Sequence, residues 1–226
     1  AASNRSNVSI GAQELAFSGP QSFLPGAVYN DANGDHFYGI GEAVQGVTAT
    51  VRAAGSAVAI GSDVTGSGGG WSVGENGQPG DRFSVTCTGG GLASAVTATV
   101  SSGNRNAKID LVNGDEIYSS ANVVLGDGAR DIRLLGVGKI SGTGNDSANV
   151  ITGNKSANFL DGGRGNDTIS GGSGNDTIKG GGGNDTISGG SGLDVINGEA
   201  GRDVMTGGSS KDVFKFTAVS SIGNSV

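Results

Sequence analysis

The chain has 226 residues, 46 of them glycine and only 5% aromatic, and its 14 Lys and Arg against 21 Asp and Glu leave a net charge of −7. So much glycine and so few aromatics argue against a conventional hydrophobic core over the whole length. The acidic balance, with no basic cluster, excludes nucleic acid and anionic membrane surfaces as partners and is the right sign for cations.

Residues 1–19, which open AASNRSNVSIGAQ, read as a leader or linker without the apolar segment of a secretory signal. No apolar run anywhere approaches the roughly 20 residues of a membrane-spanning helix. Residues 20–113 carry short alternating stretches, AVYN at 27–30, VTATVR at 47–52, WSV at 71–73, FSVTC at 83–87, AVTATV at 95–100 and AKIDLV at 107–112, separated by glycine-rich turns. Period-two alternation at that spacing predicts the strands of a small antiparallel β-sandwich.

Between the first two strands, the segment YNDANGDHFYGIGEAVQGVTATV at 29–51 sets out Asp31, Asn33, Asp35, the Phe37 carbonyl and Glu42 at positions 1, 3, 5, 7 and 12 of an EF-hand-like loop. His36 stands where such a loop has glycine for its bend, and no helical pattern flanks it. A second metal loop and a solvated polar turn are both open readings. The block resembles the opening of Cna-B/SdrD-type β-sandwich domains of bacterial surface proteins, some of which hold calcium there. More weakly, residues 20–113 resemble segments that follow CAP-type domains in bacterial secreted proteins.

Gly70-Trp71-Ser72-Val73-Gly74 matches the G-x-S-x-G nucleophile elbow, but that motif needs a strand–turn–helix and a later histidine. The only histidine, His36, comes earlier, so the stretch reads as a strand with Trp71 and Val73 packed. One histidine also excludes an HExxH zinc centre, and no catalytic site is expected. Cys87 is the only cysteine, which excludes an internal disulfide and suits a small core residue.

Composition shifts near residue 115. Residues 114–143 read as a transitional cap, with Asn122 and Asp131 at position six and Val124 at position eight of a degraded repeat. From 144 to 216 a nonapeptide recurs, its first glycine at 144, 153, 162, 171, 180, 189, 198 and 207. Position six is Asn149, Asn158, Asp167, Asp176, Asp185, Asp194, Asp203 and Asp212; position eight is Ile151, Leu160, Ile169, Ile178, Ile187, Ile196, Met205 and Phe214. Nine residues are too few for a helix pair, so the period predicts a solenoid of short strands with the position-eight side chains stacked inside. One such side chain per nine ordered residues is too little burial to offset the ordering entropy. Stabilisation must also come from the loops, where glycines turn carbonyls inward and each turn adds one carboxylate. Hard oxygen donors and negative charge suit Ca²⁺, whereas zinc would need Cys or His.

GGRGNDTIS, GGSGNDTIK, GGGGNDTIS and GGSGLDVIN over 162–197 resemble the RTX (haemolysin-type) calcium-binding nonapeptide GGxGxDxUx. The resemblance implies an all-β chain, a small antiparallel β-sandwich followed by a parallel β-roll with two nonapeptides per turn. Several Ca²⁺ ions would lie between loops on the same edge, pairing Asp167 with Asp185, Asp176 with Asp194, Asp185 with Asp203 and Asp194 with Asp212. Carbonyls of Gly162, Gly163, Gly165, Gly171, Gly172, Gly174, Gly180, Gly181, Gly183, Gly189, Gly190, Gly192, Gly198 and Gly201 would complete the shells. Asn149 and Asn158 remove charge and suit amide hydrogen bonding, Glu199-Ala200 interrupts one glycine run, and Ser210-Lys211 weakens the site at Asp212. The resemblance further implies a secreted, extracellular bacterial module that meets type I secretion machinery and folds on calcium. Its parent would be a secreted hydrolase, protease or CAP-domain protein, or else an adhesin or surface-layer component with a cell-surface or matrix ligand. Residues 217–226 make a shorter tail than such exporters read, which points to truncation.

Overall fold

The computed structural model describes residues 22–36, 41–75, 80–101 and 107–216. The leader or linker expected over 1–19, the tail over 217–226, and Phe37 lie outside these residues. All the described regular structure is strand.

The alternating stretches fold as β1 (Ser22–Tyr29), β2 (Val47–Ala53), β4 (Gly70–Glu75), β5 (Arg82–Gly89), β6 (Val96–Ser101) and β7 (Ile109–Val112). Val47, Ala49 and Val51 of β2, Phe83, Val85 and Cys87 of β5, and Val96, Ala98 and Val100 of β6 point into one core, while their neighbours face outward. A further strand, β3 (Ala59–Val64), was not expected from the sequence. It ends its sheet, pairs with β2 alone and leaves Ile60 and Val64 exposed, so it carries no buried alternation to read. The G-x-S-x-G stretch lies in β4 as extended strand paired antiparallel with β1, with Trp71 and Val73 buried and Ser72 exposed. Cys87 sits in the core, where burial pushes its thiol up to about 12.

Downstream come β8 (Glu116–Ser119), β9 (Val123–Leu125), β10 (Asp131–Leu134), β11 (Ser141–Thr143), β12 (Val150–Thr152) and β13 (Phe159–Asp161). The series continues with β14 (Thr168–Ser173), β15 (Thr177–Gly182), β16 (Thr186–Ser191), β17 (Val195–Ala200), β18 (Val204–Ser209) and β19 (Val213–Lys215). Each strand pairs in parallel with the next but one, which makes a solenoid of about six turns with two strands per turn. Ile151, Ile169, Ile187 and Met205 stack under one face, Leu160, Ile178 and Ile196 under the other, all at most 1% exposed.

The expected antiparallel sandwich is met in part: β1 with β4, and β3, β2, β5 and β6 in turn, pair antiparallel, but within larger mixed sheets. β6 pairs antiparallel with β9 and β7 with β8, while β1 pairs parallel with β7. The result is two mixed sheets, of nine and ten strands, that run unbroken from the N-terminal part into the two faces of the solenoid. One hydrophobic cluster extends from Leu24 to Met205.

The degraded repeat over 117–143 is out of phase by one residue from the sequence reading. Gly142 pairs with both Val123 and Leu160, and Ile132 pairs with Ile151, so Val123 and Ile132 hold the position-eight places. Val123 is buried and Val124 only half-buried. Asn122 and Asp131 therefore stand at position seven, where their Oδ1 atoms accept from Ser141 N and Val150 N of the next turn.

Candidate metal centre

The loops that join the strands are shaped by their second residue. Gly163, Gly172, Gly181 and Gly190 take φ of 95° to 104°, a region that L side chains avoid. A Cβ on Gly181 would lie 2.0 Å from the Gly163 carbonyl oxygen of the preceding turn. Glycine at this position lets successive loops stack.

The position-six carboxylates point into the stack. Oδ1 of Asp185 accepts from Asp167 N at 2.9 Å, and the same bond links Asp203 to Asp185, Asp194 to Asp176 and Asp212 to Asp194, eighteen residues apart each time. The other oxygen, Oδ2, is buried with no hydrogen-bond partner in Asp167, Asp176, Asp185 and Asp194. It faces the first residue of its own loop and the first carbonyl of the next turn. A Cβ built on Gly180 would lie 2.3 Å from Asp185 Oδ2 and 2.6 Å from Gly198 O, and Gly162, Gly171 and Gly189 show the same arrangement. Burial without a partner disfavours the charged form: the carboxyls of Asp167, Asp176 and Asp185 are pushed up to about 6, and that of Asp194 is raised by the same cause.

The two asparagine loops are built differently. Asn149 Oδ1 takes the place of an aspartate Oδ2, but it accepts from Asn145 N at 2.9 Å; Asn158 Oδ1 does the same with Asn154 N. Their Nδ2 atoms donate to the Arg130 and Ile140 carbonyls. Here position two is Asn145 or Asn154 rather than a glycine of positive φ, so its N–H can turn inward. Asn145 and Asn154 were missed in the sequence. The signal was present in the paired GNDSAN and GNKSAN loops, where asparagine replaces the second glycine.

At the other end, Glu199 occupies a position-two place with φ of 64°, and its carboxylate pairs with Lys179 at 3.3 Å and accepts from Asn197 Nδ2. Among the described residues, no group of three or more His, Cys, Asp or Glu side chains is placed to hold a metal ion. A cation in the loops would therefore rest largely on main-chain carbonyls. The donor set fits that demand: an orphaned carboxylate oxygen and a carbonyl oxygen converge in the loops of Asp167, Asp176, Asp185 and Asp194, and both are hard donors of the kind Ca²⁺ takes.

The described residues of the 31–42 segment hydrogen-bond among themselves. Asp31 Oδ2 accepts from His36 N at 2.9 Å, Asn33 Oδ1 accepts from Asp35 N, Asn33 Nδ2 donates to Asp35 Oδ2, and Glu42 Oε1 accepts from Ala32 N. His36 sits at φ 61°, and its Nδ1 lies 2.9 Å from the Tyr118 hydroxyl on the first solenoid turn. Asp31 Oδ1 is buried without a hydrogen-bond partner.

With this geometry in hand, comparison with known families is direct: residues 143–178 and 179–214 match the model described as RTX calcium-binding nonapeptide repeat (4 copies). The turns over 143–214, about a third of the chain, are thus similar to RTX repeats. No curated protein and no solved structure matches the chain. RTX repeats bind Ca²⁺, and the buried carboxylate row lies within the matched residues. No helix among the described residues is long and apolar enough to cross a membrane.

Proposed function

We propose that this chain is an extracellular RTX module that leaves a bacterial cell through a type I system, folds when it binds several calcium ions, and stabilises the C-terminal part of a larger secreted protein. The observation that carries this reading is the row of buried Oδ2 atoms in Asp167, Asp176, Asp185 and Asp194, each without a partner and each facing a carbonyl of the next turn. Such a row opposes folding where calcium is scarce and favours it where calcium is abundant, because a ligand that binds only the folded state draws the equilibrium over. Asp167, Asp176, Asp185, Asp194, Asp203 and Asp212, with glycine carbonyls at positions one, two and four, are the residues that would hold the ions. We assign no catalytic role to the chain.

Calcium titrated into the EDTA-treated chain, followed by far-UV circular dichroism with magnesium as control, tests the reading. A cooperative gain of β signal specific to calcium supports it; a flat titration on a chain already folded refutes it. The buried Asp31 Oδ1 supports a second, separate cation at the 31–42 loop, of the kind found in the Cna-B/SdrD-type domains that the N-terminal part resembles. Loss of one bound calcium on Asp31→Asn, counted by equilibrium dialysis, is the expected result there.

A further inference from the structure

The two asparagine loops point to a division of labour inside one solenoid. Asn145 Nδ2 donates to the carbonyls of Gly126 and Ala129, at 3.1 and 2.8 Å, and Asn154 Nδ2 donates to those of Leu135 and Gly138, at 3.4 and 2.9 Å. One uncharged amide thus holds two carbonyls of the preceding loop in each case. The rest of each loop closes in the same way: Asn145 Oδ1 and Asn154 Oδ1 accept from Ser147 N and Ser156 N, and also from the Nδ2 of Asn149 and Asn158. No side-chain oxygen of these four asparagines is among the buried atoms that lack a hydrogen bond, whereas the aspartate loops after residue 161 repeat that defect turn after turn.

The amide-closed turns are also those joined to the N-terminal sheets. β8 and β9 pair with β7 and β6, and the shared core runs from Leu24 through Leu134 to Leu160 without a break. The upper surface of this block offers loop acceptors to the first aspartate turn: Thr168 N donates to Asn149 O and Thr177 N to Asn158 O. Asn149 N and Asn158 N in turn donate to the Oδ1 atoms of Asp167 and Asp176.

We propose that Asn145 and Asn154 are built-in substitutes for loop cations, so that residues 116–161 fold with the N-terminal sheets without metal and template the calcium-dependent turns from 162 onward. In a solenoid each turn contacts only its neighbours, so a preformed end removes the cost of nucleation and lets order spread in one direction. The inference rests on the calcium reading for residues 162–215 and adds to it a metal-free part and a direction of growth.

Hydrogen exchange on the full chain tests it. In EDTA, amides of β10 to β13 should stay protected while those of β14 to β18 exchange at least tenfold faster; on calcium addition, pulse labelling should show β14 protected before β18. Exchange of both blocks in EDTA, with both protected by calcium, overturns the template and leaves the calcium reading intact. Protection of both blocks in EDTA overturns the calcium reading and the division with it. Protection of β18 before β14 overturns the direction of growth. Asn145→Ala with Asn154→Ala should speed exchange of β10 to β13 in EDTA at least tenfold; unchanged rates overturn the role of the two amides.

Discussion

Asp185→Asn should have opposite effects with and without calcium. In the wild-type chain Asp185 Oδ1 accepts from Asp167 N at 2.9 Å, and Oδ2 is buried without a partner beside Gly180 and the Gly198 carbonyl. Asparagine keeps the Oδ1 acceptor for Asp167 N and sets an N–H donor where Oδ2 stood, against the Gly198 carbonyl. A buried acceptor left unmade costs about 1–3 kcal/mol. Relieving it should raise the folded fraction of the calcium-free turns by a factor of roughly 5 to 150. The same change removes the one charged donor of that loop. If a site is lost, the stabilisation that calcium brings at about 100 times its dissociation constant should fall by about 2.7 kcal/mol. Exchange protection of β15 to β17 in EDTA and urea midpoints in calcium read the two effects separately. A variant that is less protected than wild type in EDTA, or that gains as much from calcium as wild type, would falsify the assignment of Oδ2 as a cation ligand.

The carboxyls of Asp167, Asp176 and Asp185, raised by burial to about 6, predict a pH dependence in EDTA. A carboxyl whose folded value is raised stabilises the fold below its unfolded value of about 3.9, and that contribution is lost as pH rises through the folded value. Without calcium the repeats should show more β signal at about pH 5 than at about pH 7.5; with calcium the order should reverse, because protons compete for the same oxygens. Ile178→Ala should cost about 2–5 kcal/mol in calcium, since Ile178 is 0% exposed, whereas Val204→Ala, at 53% exposed, should stay within about 0.5 kcal/mol; urea unfolding compares them. Gly183→Ala should abolish calcium-dependent folding, since its φ is 137° and a Cβ would lie 1.7 Å from Gly165 O, while Gly182→Ala, with open space around it, should fold like wild type.

The solenoid was legible because its information is local and repeated. Glycine at one and two, aspartate at six and isoleucine at eight recur at fixed spacing, and each copy confirms the phase of the last. Where copies degrade, phase is lost: over 117–143 the polar residues Asn122 and Asp131 look like position-six residues, and only their strand partners place them one step later. The continuity of the two sheets could not be read at all, because the pairing of β6 with β9 or β1 with β7 joins segments whose local pattern is the same for a free sandwich and for the end of a roll. The site was legible in its ligand types but not in its wiring. The resemblance implied two carboxylates facing one ion; the structure ties Oδ1 of these aspartates to the backbone of the previous turn and leaves the buried Oδ2 for a cation. That wiring explains why the choice at position six is coupled to the choice at position two. A glycine of positive φ turns its N–H away and leaves the inner oxygen of an aspartate bare; an asparagine there turns its N–H inward and satisfies the oxygen of another asparagine. The pair of residues, rather than either alone, decides whether a turn of this roll needs a cation.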